Sequence, residues 1–143
     1  MNRSGKSICT LLGAVALGTS LSVVAHHSVN AQFDVNNNLV VAGVLTKIEL
    51  INPHTYMHFD IKDASGKVTN WSFETAAPAA LKMRGIAVRD TFKNGETYKI
   101  VYSPPRAKGT PIGLLTAVQL PDGRLVAMGA TNNIDASKKL LGK

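Results

Sequence analysis

The sequence predicts a mostly β domain: a small OB-like Greek-key barrel of five to six strands, with one short helix after the third. Three observations carry that expectation. Runs of β-branched and aromatic residues alternating with polar ones recur over residues 39–128, punctuated by Asn, Asp, Gly and Pro. A single helical signal falls between the third and fourth runs. The first run is long and carries a glycine where a strand can bend. A flattened sandwich of the same strands is the alternative. No internal repeat or heptad pattern is present.

The elements follow in order. Residues 39–51 read as one strand, with Gly43 a candidate bulge. Asn52-Pro53 ends it, because proline has no N–H for the ladder. Residues 56–62 alternate, with Met57, Phe59 and Ile61 apolar and Tyr56, His58, Asp60 and Lys62 polar. Asp63-Ala64-Ser65-Gly66 is a hairpin loop. Residues 67–75 form a third strand with Trp71 and Phe73 on its core face. Pro78 opens a short helix over 79–84, closed by Gly85. Asn94-Gly95 turns into a fourth strand, 96–103, with Tyr98, Ile100 and Tyr102 in step. Three prolines and a glycine make 104–111 a loop. Strands over 114–120 and 124–128 complete the barrel around the turn Pro121-Asp122-Gly123. The expected core is Met57, Phe59, Ile61, Trp71, Phe73, Ile100 and Val118.

The first 25 residues have the layout of a secretory signal. Arg3 and Lys6 precede an apolar run over 8–25, and Val23 and Ala25 supply the small residues of a cleavage site. An uncleaved anchor is the bland alternative, weakened by Gly13, Gly18, Thr19, Ser20 and Ser22. Cleavage after Ala31 competes with cleavage after Ala25 and would discard His26 and His27. The expected organisation is a signal over 1–25, an arm over 26–38, a barrel over 39–129 and a flexible basic tail over 130–143. The expected location is the periplasm or outside the cell, with no membrane attachment after cleavage.

Removing 25 of 143 residues leaves 118, enough for one domain with a modest core. The leader holds two basic residues and no acidic one, so the net charge falls from +7 to +5. That balance is not a nucleic-acid signature. Cys9 is the one cysteine and sits inside the leader. The processed chain therefore forms no disulfide, no thiolate metal site and no Cys nucleophile.

At this point the chain resembles a family of small secreted bacterial proteins classed as a domain of unknown function. The matching residues are Ala25-His26-His27-Ser28, Phe33-Asp34, Asn52-Pro53-His54, Trp71 with Glu74, Arg84-Gly85, and Leu120-Pro121-Asp122-Gly123-Arg124. The resemblance implies a secreted, mostly β domain and draws attention to His26, His27 and His54. It carries no activity. His58 lies outside the shared pattern.

Cleavage after Ala25 would expose His26 as the N-terminus, which offers an α-amine and a ring nitrogen from one residue. His58 lies four residue steps along the strand from His54, roughly 13 Å. Two ligands of one ion have donor atoms only about 3–4 Å apart. The expected metal ligands are therefore His26, His27 and His54, with Asp34, Glu49 and Glu74 as the nearest carboxylates. A nitrogen-rich site without thiolate favours Cu(II), then Zn(II) or Ni(II). The bland reading is a processing-site pair and a histidine packed at a turn. Glu49 and Glu74 can form a carboxylate pair on adjacent strands; the bland alternative is two solvated strand-face residues. No G-x-S-x-G, P-loop, dinucleotide or H-E-x-x-H motif is present. The expectation is binding or carrying of an ion rather than turnover. The alternative is a non-enzymatic envelope module that binds a glycan, a polyanion or a partner protein without metal. Nucleic acid is not an expected partner.

Overall fold

The computed structural model describes residues 29–129 and 134–142. The expected signal, with His26 and His27, lies outside the described residues.

The chain order is α1 (Val29–Gln32), β1 (Leu39–Leu50), β2 (Thr55–Lys62), β3 (Val68–Thr75), α2 (Pro78–Met83), α3 (Val88–Thr91), β4 (Thr97–Ser103), β5 (Ile112–Gln119), β6 (Leu125–Ala127) and α4 (Ile134–Leu140). β1 pairs antiparallel with both β2 and β4, β2 with β3, and β4 with β5. A parallel pairing of β3 with β5, Ser72–Glu74 against Ile112–Leu114, closes the barrel. β6 adds an extra strand beside β5. This is the mostly β, OB-like barrel that the pattern predicts, with one strand outside the closed ring.

The alternation in β2 is direct: Met57 and Phe59 are fully buried and Ile61 nearly so. β1 is less regular. Its register slips between Leu45 and Lys47, where Thr46 is the extra residue of a bulge. Gly43 and Leu45 face inward before the slip, and Ile48 packs on the core after it. This explains why neither parity of the first strand is cleanly apolar. Gly43, the expected bulge, pairs regularly with Tyr98. A Cβ there would sit 3.1–3.2 Å from Phe59, Ile100 and Ile61, so the glycine serves close packing instead.

Of the expected core, Met57, Phe59, Ile61, Phe73, Ile100 and Val118 are buried together. Trp71 differs: it is half-buried and packs against that cluster from one end. Its ring stacks on Phe73 at 5.9 Å and meets Tyr102 edge-on at 5.8 Å.

Pro78 stands in the first turn of α2, and Leu81 is its buried residue. Gly85 has φ of 75°. Its N–H donates to the Lys82 carbonyl, and the Ile86 N–H donates to that of Leu81, which ends the helix. α3, which the pattern did not predict, brings Val88 into the core and leads to Phe92. The tail expected to be flexible carries α4, packed on β5 and β6. Ser137 is buried there. The arm is anchored by Phe33, 1% exposed and bridged to Pro105.

Candidate functional site

His54 ends the Asn52-Pro53 corner, one residue before β2 begins. The antiparallel register sets Tyr56 opposite Glu74, so His54 and Glu74 are diagonal neighbours on one face. The His54 Nδ1 lies 3.0 Å from Glu74 Oε1 and 3.3 Å from the Thr75 carbonyl oxygen. A carbonyl and a carboxylate only accept, so Nδ1 carries the proton. Nε2 then keeps its lone pair whenever the ring is neutral. The His54 side chain is 37% exposed and that of Glu74 is 18% exposed.

This pair lines a cavity of about 440 Å³. Its walls come from distant segments: Val29 of α1, Asn38, Ser103 of β4, Leu115 of β5 and Gly129. The Ser103 hydroxyl donates to Asn38 Oδ1 at 2.8 Å and ties two of these segments together. Thr75 braces the floor, donating from Oγ1 to the Met128 carbonyl at 2.5 Å. Arg84 donates to the carbonyls of Gly129 and Met128 from outside.

His58 is built differently. The bulge at Thr46 sets Lys47 opposite His58 and leaves Glu49 on the same outer face. His58 Nε2 lies 2.6 Å from Glu49 Oε2, and Lys47 Nζ lies 2.6 Å from Glu49 Oε1. Lys47 first, then His58, holds the Glu49 carboxyl below its ordinary range. Glu49 and Glu74 do not stand on adjacent strands, as a carboxylate pair would require, because β2 lies between β1 and β3. They end a row across three strands, with Tyr56 between them. Burial, and then the Glu74 charge, push the Tyr56 hydroxyl upward.

The two strand histidines thus belong to separate carboxylate pairs. Asp34 faces Arg106 at 3.8 Å. Among the described residues, no three His, Cys, Asp or Glu side chains come together as a metal-binding group. Sequence reasoning named His54 and offered Glu74 as a partner. It missed the cavity and its Asn38, Thr75 and Ser103 walls. The hairpin register over 55–75 was the available signal for the His54–Glu74 contact, whereas no local pattern marks Asn38.

A family model matches residues 14–114, most of the chain. The chain belongs to DUF6152, a family of unknown function. The DUF6152 match takes in His26, His27, His54 and Glu74 and reaches the first residues of β5. It leaves β6 and α4 outside. No curated protein and no solved structure matches this DUF6152 chain.

Proposed function

We propose that this protein is exported, processed before His26, and binds one Cu(II) ion through His26, His27 and His54. The observation that carries the reading is the state of His54. Its Nδ1 is taken by two acceptors, which leaves Nε2 as the donor atom toward a metal. A carboxylate behind a ligating imidazole fixes the ring and raises its basicity, and Glu74 stands in that position.

The place of α1 supports the same reading. Val29 lines the cavity that holds His54. Two residues, His27 and Ser28, separate His26 from Val29, a reach of roughly 10 Å when extended. A free α-amine and two imidazoles from the arm, joined by His54, make a nitrogen set suited to Cu(II). The role is holding or carrying the ion. His58, committed to Glu49 through Nε2, is left out of the ligand set.

Calorimetry and EPR on the processed protein test this. One Cu(II) per chain is expected, with nitrogen hyperfine structure. Extending the chain by one residue before His26 removes the amine–imidazole chelate and should weaken binding strongly. His54→Ala should weaken it too, and Glu74→Gln by about 10–100-fold. His58→Ala should leave it unchanged. Equal binding by the extended chain, or by His54→Ala, refutes the reading.

A further inference from the structure

We infer that a second cleft, at the barrel end capped by Trp71, binds an acidic oligosaccharide. This inference is independent of the metal reading.

The cleft has a volume of about 600 Å³, within the range of small-molecule sites. Its floor is Trp71, with Tyr102 and Ile61 behind it. The indole lies nearly parallel to the Phe73 ring, meets Tyr102 edge-on and is half-buried, so part of it stays open to the cleft. A single aromatic ring of this kind makes an apolar platform for the C–H face of a sugar ring. The wall opposite is the loop 104–111, which contributes Pro104, Pro105 and Pro111.

That loop is already held in shape. The Asp34 N–H donates to the Pro104 carbonyl at 2.9 Å, and the Arg106 N–H donates to that of Gln32 at 2.9 Å. Arg106 Nε reaches the Asn30 carbonyl at 2.7 Å. At the far end the Ser72 N–H donates to the Pro111 carbonyl at 3.0 Å. A wall fixed at both ends loses little freedom when a ligand arrives.

The charges select the ligand. Lys67 and Lys108 line the cleft, and both are exposed. Neither has a carboxylate partner among the described residues. The acid of the cleft, Asp63, accepts at Oδ1 from the Ser65 N–H, the Ser65 hydroxyl and the Lys67 N–H. That carboxylate is engaged in its own turn, and the two lysines outnumber it in the cleft. An anionic ligand fits, and a cationic one does not. The Thr69 and Thr110 side chains also line the cleft and suit sugar hydroxyls. Single-stranded nucleic acid is the weaker fit, since it uses successive stacking rings along a basic track. Here Tyr102 is 8% exposed and presents no second open face.

Trp71 is the only tryptophan in the chain, so its emission reports on the cleft directly. Titrating the processed protein with trigalacturonate, in the presence of a chelator, should give a saturating change in emission. Binding should weaken as ionic strength rises. Lys67→Ala and Lys108→Ala should each weaken it roughly three-fold. Maltotriose, neutral and of the same length, should bind about ten-fold more weakly, the product of the two lysine effects. His54→Ala should bind trigalacturonate as the parent does, which separates this site from the metal. Absence of both emission change and heat at millimolar trigalacturonate overturns the inference. So does heat without emission change, equal binding of maltotriose, unchanged binding after both lysine substitutions, or tighter binding of a short oligothymidylate.

Discussion

Gly113→Ala perturbs the seam that closes the barrel. Gly113 pairs with Phe73 in the parallel β3–β5 ladder. An added Cβ would lie 2.8 Å from Phe73 Cδ1, Phe73 Cε1 and Tyr102 Cδ2. Non-bonded carbons rest at about 3.5–4.0 Å, so each contact is short by roughly 0.7 Å or more. The Phe73 ring has little room to yield. Phe73 is fully buried between Phe59, Trp71 and Tyr102. Overpacking of this kind costs about 1–3 kcal/mol. Loss of glycine's freedom in the unfolded chain offsets about 0.4–1 kcal/mol. The net loss should be about 1–2 kcal/mol. Gly43→Ala is the control: its contacts are 3.1–3.2 Å, so its neighbours need give only by a few tenths of an ångström. It should change stability by less than about 0.5 kcal/mol. Urea unfolding followed by Trp71 emission measures both. With a slope of about 1–3 kcal/mol/M, the Gly113→Ala midpoint should fall by roughly 1 M. Its native emission should also shift, because the displaced rings touch the indole. Equal midpoints for the two variants, with native emission unchanged, would refute the tight seam.

Three further outcomes are expected. Thr55 is fully buried and its hydroxyl has no partner among the described residues, so Thr55→Val should raise stability by about 1 kcal/mol in the same urea assay. Arg84→Met removes charged donors from the carbonyls of Gly129 and Met128 and should cost about 1.5–3 kcal/mol, read as a lower thermal midpoint. Glu49 is held below its ordinary value of 4.5, so the stability it lends is present above that pH and is lost as pH falls through its folded value. Melts from pH 7 to pH 3 should therefore show Glu49→Gln less stable than the parent at neutral pH and converging with it in acid.

The architecture was largely legible because alternation is a direct image of a two-faced strand. Met57, Phe59 and Ile61 announced β2, and Pro78 with Gly85 announced α2. Gly43 shows the limit. In a strand sequence a bulge and a close approach both read as glycine, and only the partner strand tells them apart. Thr46, the true bulge, is an ordinary strand residue and left no mark. α3 spans four residues without a side-chain cap, too short for a periodic signal. α4 was hidden by a lysine-rich composition that resembles a frayed tail. At the site, His54 was visible as a residue type beside a turn. Which of its nitrogens is engaged depends on Glu74 and Thr75, twenty residues on, and no local pattern encodes that. Trp71 read as core because hydrophobicity does not reveal which end of a barrel is open.

The anchoring of the arm bears on the order in which the molecule assembles. Asn30 and Arg106, joined by a hydrogen bond, stand 76 residues apart in the chain. Phe33 pairs with Pro105 of the same loop as Arg106. The arm ahead of β1 must therefore wait for the loop after β4 before it can dock, and contacts of such separation slow folding. An ion shared between that arm and His54 would recognise the finished barrel alone. It would then stabilise the native protein by mass action, in proportion to the logarithm of its concentration over its dissociation constant. The chain has no cysteine beyond position 9 to staple the barrel, so such an ion would be its late-arriving fastener.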